Sequence, residues 1–188
     1  MTSCSKAKRY LLFSILPEDH IRAVLMASDA FDLIIRKHTD RQEVDFKILD
    51  KQPAEEIKHL GVIIEVEETV FQSSCEDILR EAELMAGEER FWEVHNFLEY
   101  LWKSARELQK SILHEVIGIV VSQIKAQMGQ TDVAERVYLR SRRNLISLTN
   151  GAFANFLPES FRYPLTFPFA TVLPYIEDSM CRRNGASH

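Results

Sequence analysis

The chain changes its hydrophobic period near residues 67–74, and this change constrains its fold more than any other feature. Before it, short stretches alternate apolar and polar residues, as in EVDFKIL, whose valine, phenylalanine and isoleucine share one face. After it, apolar residues recur at the three- and four-residue spacing of amphipathic helices. The sequence therefore predicts an α+β protein, with a small α+β subdomain over residues 1–70 and an all-α domain over 71–151.

Four strand-like stretches and two helix-like stretches precede residue 70. In chain order they are RYLLFSIL, the helical PEDHIRAVLMAS, AFDLIIRKH, EVDFKIL, the helical PAEEIKHL and GVIIEV. Pro17 and Pro53 open the two helices, where the missing N–H of proline removes no hydrogen bond. The order is typical of ferredoxin-like βαββαβ domains, in which two helices cover a four-stranded antiparallel sheet. We therefore predict a ferredoxin-like subdomain.

The second part of the chain combines four helices with a C-terminal arm. The predicted helices are SSCEDILREAELMAG, FWEVHNFLEYLWKSA, SILHEVIGIVVSQIKAQM and DVAERVYLRSRRNLISL. Ser73 with Glu76, and Asp132 with Glu135, have the spacing of capping boxes. Residues 152–188 contain four prolines and seven aromatic residues, too many prolines for a regular helix and too many aromatics for a solvated tail. We predict an arm packed over the helices or against a second subunit.

Composition narrows the classes of partner. The formal net charge of −5 argues against nucleic acid, because phosphate neutralisation needs an excess of lysine and arginine. Three cysteines, far apart and in no CxxC pair, suggest neither a disulfide framework nor a thiolate zinc site, and they favour a reducing cytoplasm. No apolar run reaches the roughly 20 residues that cross a bilayer. We expect a cytoplasmic protein with no membrane partner.

The stretch FWEVHNFLEYLW carries the candidate functional residues. His95 and Glu99 are four residues apart and therefore neighbours on one helix face, with Trp102 one turn further. Glu93 lies about 200° around the helix from His95. One interpretation is structural, a buried network in which Glu99 accepts a hydrogen bond from His95 and fixes its tautomer. The other is catalytic, with His95, Glu99 and Glu93 serving an acid–base hydrolase.

A divalent metal is a further possibility for this helix. If the next helix packs antiparallel to it, His114 would approach the His95–Glu99 pair. Two imidazoles and one carboxylate suit a catalytic metal with open positions. The sequence thus predicts His95, Glu99 and His114 as a possible ligand set, although no short HExxH-type spacing supports it.

The stretch from Glu81 to Leu148 resembles the family catalogued as domain of unknown function 309, small all-helical proteins with the approximate signature F-[FYW]-E-x-H-E-x-L-E-x-x-W. Seven positions match in order: Phe91, Trp92, Glu93, His95, Leu98, Glu99 and Trp102. The resemblance implies that one helix, here the one carrying the signature, is wrapped by the others. The family also breaks between this helix and the next, so we predict a break near Ser104 to Glu107.

Binding residues are predicted in two further places. Trp102 and Asn96, which stands where the family has a second glutamate, are candidate ligand contacts beside the His95–Glu99 pair. Arg136, Arg140 and Arg143 form a basic stripe on the last helix that suits phosphate, a nucleotide or an acidic surface.

The first subdomain also contains isolated histidines. We expect the histidines of the first subdomain, including His38, to lie at its surface or edge. Taken together, the sequence favours an interaction module that forms homo-oligomers through its helical domain or its aromatic arm. Which small ligand it binds, if any, does not follow from the residues.

Overall fold

A computed structural model describes residues 7–49, 53, 55–66 and 74–180 of the chain. The chain divides into two compact units, Met1–Val70 and Phe71–His188. The first unit is α+β and the second is helical. The predicted α+β class is therefore confirmed.

The first unit is a four-stranded antiparallel sheet with two helices. Its elements are β1 (Ala7–Ser14), α1 (Glu18–Ala27), β2 (Phe31–Lys37), β3 (Gln42–Leu49), α2 (Glu55–Lys58) and β4 (Val62–Val66). The strands lie in the order β2-β3-β1-β4, and each neighbouring pair is antiparallel. All six elements that the period-two and proline signals predicted are present in the predicted order.

The period-two pattern builds the core of this unit. In the β1–β3 register, Tyr10 lies opposite Phe46 and Leu12 opposite Val44, so these four side chains share one face of the sheet. They pack in one cluster with Ile21, Leu25, Ile48, Ile57 and Leu60. Burying side chains of this size contributes roughly 1.5–3 kcal/mol each. Alternation along the strands therefore fixes which face the helices cover.

The second unit consists of helices and a 3₁₀ turn. Its elements are α3 (Cys75–Gly87), α4 (Phe91–Ser104), α5 (Glu107–Gln127), α6 (Thr131–Leu148), a 3₁₀ helix (Phe169–Val172) and α7 (Leu173–Met180). Ala105 and Arg106 are extended, with ψ of 159° and 168°, so α4 and α5 are separate helices. The predicted break is confirmed.

The N-termini of α3 and α6 are not capped as the sequence predicted. Ser73 lies outside the described residues, and the box at α3 is formed by Ser74 and Asp77, each bonding the other's backbone N–H. The predicted box at Asp132 is wrong, because α6 begins one residue earlier and Asp132 lies inside its first turn. Gly129, with φ of 74°, turns the chain just before this start.

Helix α5 is the buried helix of the second unit, and this corrects the expectation for α4. Eleven residues of α5 are buried, against five of α4. Three aromatic residues of α4, Trp92, Tyr100 and Trp102, are partly or largely exposed. The aromatic residues around α4 therefore do not mark a wrapped helix.

Within the described residues, no helix is long and apolar enough to cross a bilayer.

The Pro-rich arm after α6 packs into the same core as the helices. Its buried members are Phe153, Leu157, Leu165, Phe167, Phe169, Val172 and Ile176. Phe153 and Phe167 stack with ring centroids 5.8 Å apart, and Phe169 meets Phe167 edge to face at 4.9 Å. The predicted packing of the arm over the helices is thus observed.

Candidate functional site

The signature of α4 divides into a core part and a surface part. Phe91 is 2% exposed and Leu98 is fully buried, so these two positions serve the hydrophobic core. Four others, which we call the α4 row, lie within an arc of about 80° at spacings of three, four and three residues. The α4 row consists of Trp92, His95, Glu99 and Trp102. It is the place where the predicted site residues meet.

His95 is held mainly by ring stacking. Its imidazole lies nearly parallel to the Trp92 ring, with centroids 5.5 Å apart and an interplanar angle of 13°. Its Nε2 is 3.8 Å from Glu99 Oε1, which is beyond hydrogen-bond distance. Its Nδ1 is buried without a hydrogen-bond partner among the described residues. The hydrogen bond expected to fix the tautomer of His95 is therefore not formed, and Glu99 acts only as a neighbouring charge.

The predicted network lies at the surface rather than in the core. The Glu99 side chain is 44% exposed, and Trp102 is 36% exposed. The ammonium of Lys110 lies over the Trp102 ring, 5.1 Å from its centroid, in cation–π geometry. Asn96 is exposed on α4, and its side chain makes no hydrogen bond with another described residue. The α4 row thus presents a tryptophan that has an ammonium over its ring and a carboxylate three residues before it on the helix.

Glu93 belongs to a different contact. Both Nε and Nη2 of Arg90 donate to Glu93 Oε1, each at 3.2 Å. Its side chain is 12% exposed and lies on the far side of α4 from His95. The structure therefore does not bring Glu93 into one site with His95 and Glu99.

The predicted metal ligands are not assembled. Among the described residues, no group of three histidine, cysteine, aspartate or glutamate side chains is placed to hold a metal ion. His114 is exposed on α5, and it does not join His95 and Glu99 in such a group. Since α5 presents Leu113 and Val116 to the core, its neighbouring position 114 points outward.

Helix α6 carries the three predicted arginines, which we call the arginine row. Arg136, Arg140 and Arg143 are all exposed. None of them makes a hydrogen bond or an ion pair with another described residue. Arg142, beside them in sequence, instead turns inward and donates through Nε to the Leu157 carbonyl at 3.1 Å. The arginine row is therefore a set of unpaired cations on one helix face.

A buried ion network in the first unit was not expected from the sequence. Arg36 and Glu43 are each 1% exposed and paired, and Arg36 also reaches Asp45 at 3.2 Å. Arg9 Nε donates to Asp45 at 2.8 Å. His38 lies 3.3 Å from Glu43 and is 8% exposed, so its predicted surface position is wrong. The sequence feature that could have predicted this network is the alternation of Glu43 and Asp45 with the apolar residues of β3.

Two concave regions are lined by residues outside the α4 row. One, of about 360 Å³, is a groove beside α3 lined by Leu79, Arg80, Leu84 and Leu173, among others. The other, of about 330 Å³, lies beside β4 in the first unit and includes Tyr10 and Glu65. Burial raises the pKa of Tyr10, and the nearby Glu65 carboxylate adds to this. Neither concavity contains a predicted site residue.

Two contacts of the α4 row, those of Trp92 and Lys110, were not predicted from the sequence. Trp92 was assigned no contact, although its three-residue spacing to His95 indicated one. Lys110 lies on the next helix, and only the extended turn at Ala105 and Arg106 brings it over Trp102. A helical wheel of α4 alone contains no sign of it.

Comparison with known families bears on this same segment. Residues 79–137 match the family model described as Domain of unknown function (DUF309). This match confirms the resemblance predicted from the signature. The DUF309 segment runs from α3 into α6 and covers about a third of the 188-residue chain, so the first unit and the arm lie outside it. A search of curated proteins and a search of solved structures found no match.

Proposed function

We propose that the protein is an interaction module whose helical unit pairs with a second copy of the chain through the α4 row. The observation that carries the proposal is the exposed Trp102, which follows Glu99 by three residues on α4 and has the ammonium of Lys110 over its ring. Tryptophan is enriched among the residues that dominate binding energy at protein interfaces. A large ring kept at the surface is therefore better explained by a partner than by folding.

The mixed charge of this surface favours a second copy as the partner. In a two-fold symmetric contact the same surface meets itself. Glu99 of one copy would then face Lys110 of the other, while the two Trp102 rings meet near the axis. Opposite charges placed in this way fix the register of the contact.

The proposal is tested by measuring mass in solution as concentration is varied, using light scattering or sedimentation equilibrium. We expect Trp102→Ala to weaken dimerisation by about 2 kcal/mol, or roughly 30-fold in Kd. Glu99→Lys and Lys110→Glu should each weaken it, and the double variant should recover most of the loss. Tyr100→Ala is the matched control, since Tyr100 is also 36% exposed but lies about 160° around α4 from Trp102.

Two results would count against self-association through the α4 row. The first is a wild-type protein that stays monomeric at every concentration. The second is a dimer that Tyr100→Ala weakens as much as Trp102→Ala does. Thermal melts of each variant separate loss of pairing from loss of folding.

Acid–base hydrolysis by His95 and Glu99 is the alternative proposal. It is less well supported, because a general base needs an orienting hydrogen bond and the Nε2–Oε1 distance is 3.8 Å. Glu93, the third predicted member, is engaged by Arg90. The geometry therefore favours binding over catalysis.

The topology of the first unit and the cellular location are also part of the proposal. The strand order β2-β3-β1-β4 and the βαββαβ succession support a ferredoxin-like first unit, but such a fold does not by itself specify an activity. Location in the cytoplasm rests on the cysteine usage of the sequence, and the free thiol of Cys75 is compatible with it.

A further inference from the structure

We propose that α6 carries a second docking surface, independent of the α4 row, that binds an acidic α-helix of a partner protein through the arginine row. This proposal does not depend on self-association. It concerns a different helix, a different charge and a different class of partner.

The arginine row lacks intramolecular ion-pair partners among the described residues. Six other described arginines make ion pairs with carboxylates: Arg9, Arg22, Arg36, Arg41, Arg80 and Arg90. The three members of the arginine row do not. Like charges at spacings of four and three residues also repel one another slightly. An anionic partner would remove that repulsion and satisfy three guanidinium groups.

The spacing of the arginine row matches side chains on one face of a partner helix. Arg136, Arg140 and Arg143 extend over about 10 Å along the α6 axis. A partner helix with glutamates at the same spacing presents carboxylates at the same rise. Guanidinium groups pair with carboxylates in bidentate geometry. Half-buried Val133 and Leu139 flank the row and offer apolar contact to the edges of such a helix.

The shape of the arginine row favours an acidic helix over a phosphate ligand. A single phosphate or nucleotide is best held by donors that converge on one point, whereas this row lies along the convex side of a helix. Extended nucleic acid is disfavoured by the net charge of −5 and by the exposed Asp132 and Glu135 in the first turns of α6. A short protein segment with local acidic side chains fits best.

The test uses the full chain and a fluorescently labelled, helix-forming synthetic peptide with glutamates at positions i, i+4 and i+7. We expect wild-type protein to raise its fluorescence anisotropy, and added salt to reverse the effect. Arg136→Gln/Arg140→Gln/Arg143→Gln should weaken binding roughly tenfold or more, and Arg140→Gln alone should weaken it by less. A peptide of the same composition with glutamates spread around the helix should bind more weakly.

The matched control is Arg22→Gln/Arg80→Gln, which removes two exposed arginines that are already paired with Glu18 and Glu76. It should leave peptide binding unchanged. Absence of binding by the wild type, or equal binding by the triple variant, overturns the proposal. It is also overturned if inorganic phosphate or duplex DNA binds more tightly than the peptide and loses that binding in the triple variant. Circular dichroism of the triple variant should match the wild type, because the three arginine side chains make no hydrogen bond or ion pair with another described residue.

Discussion

Gly118 owes its place to the closeness of α5 and α6. A β-carbon at this position would lie 2.1 Å from Oγ and 3.0 Å from Cβ of Ser141, which is fully buried on α6. Glycine inside a helix costs roughly 0.5–1 kcal/mol relative to alanine. That cost is offset because the two helices can approach without a side chain between them. The close approach of α5 and α6 at this point therefore requires glycine at position 118.

We expect Gly118→Ala to destabilise the helical unit by about 1–3 kcal/mol, because the added methyl group forces α6 outward or Ser141 into another rotamer. The measurement is urea unfolding followed by tryptophan fluorescence. Gly118→Ala/Ser141→Gly should recover part of the loss. Gly87→Ala is the control, since a β-carbon at Gly87 meets nothing within 4 Å. A Gly118→Ala variant as stable as the control would contradict this account.

At the scale of elements, side chains of α5 and α6 hold the arm by its backbone. Tyr138 Oη donates to the Pro158 carbonyl at 2.6 Å. Gln123 accepts from the Leu165 N–H at 3.0 Å and donates to the Arg162 carbonyl at 3.3 Å. An irregular segment rich in proline cannot satisfy its own polar groups as a helix does. The arm is therefore ordered by polar contacts as well as by its aromatic residues.

We expect Tyr138→Phe to lower the free energy of unfolding by about 1 kcal/mol, because the Pro158 carbonyl loses its donor. Burial raises the pKa of Tyr138 above 10.0, while Arg142 and Arg162 oppose the shift. A raised pKa in the folded state means that stability is lost as pH rises through it. The alkaline loss of stability should thus be smaller in Tyr138→Phe than in the wild type. Urea midpoints at neutral and alkaline pH check both effects.

At the scale of the whole molecule, the described residues form two hydrophobic cores that share no residue. One core belongs to the sheet and its two helices, and the other joins the helices of the second unit to the arm. Both tryptophans, Trp92 and Trp102, are in the second unit. Their fluorescence therefore reports unfolding of that unit alone.

We expect Phe46→Ala to destabilise the first unit by about 3–5 kcal/mol, since Phe46 is fully buried in the core of the sheet. Far-UV circular dichroism should show an earlier partial transition on heating, while the tryptophan transition stays in place. Phe91→Ala, the corresponding change in the helical core, should instead shift the tryptophan transition. A single transition that moves equally in both variants would show that the two cores unfold together.

Local patterns in the sequence determined the elements of this protein. Alternation in EVDFKIL predicted a strand with one buried face, and Pro17 and Pro53 marked the starts of two helices. The signature in α4 predicted the family match and, through it, the break before α5. These features are encoded within a few residues of each other, so one sequence suffices to recognise them.

Only the tertiary structure decided what those elements meet. Periodicity shows which side of a helix is apolar, but it does not show which partner covers that side. For this reason α4 was expected to be wrapped, whereas α5 is, and Trp102 was expected in a buried network, whereas it lies under Lys110 at the surface. His38 was expected at the surface or edge, whereas it is buried, because the pairing of β2 with β3 brings Glu43 to it. Burial and pairing depend on contacts between residues far apart in the chain, and these exist only once the elements have packed.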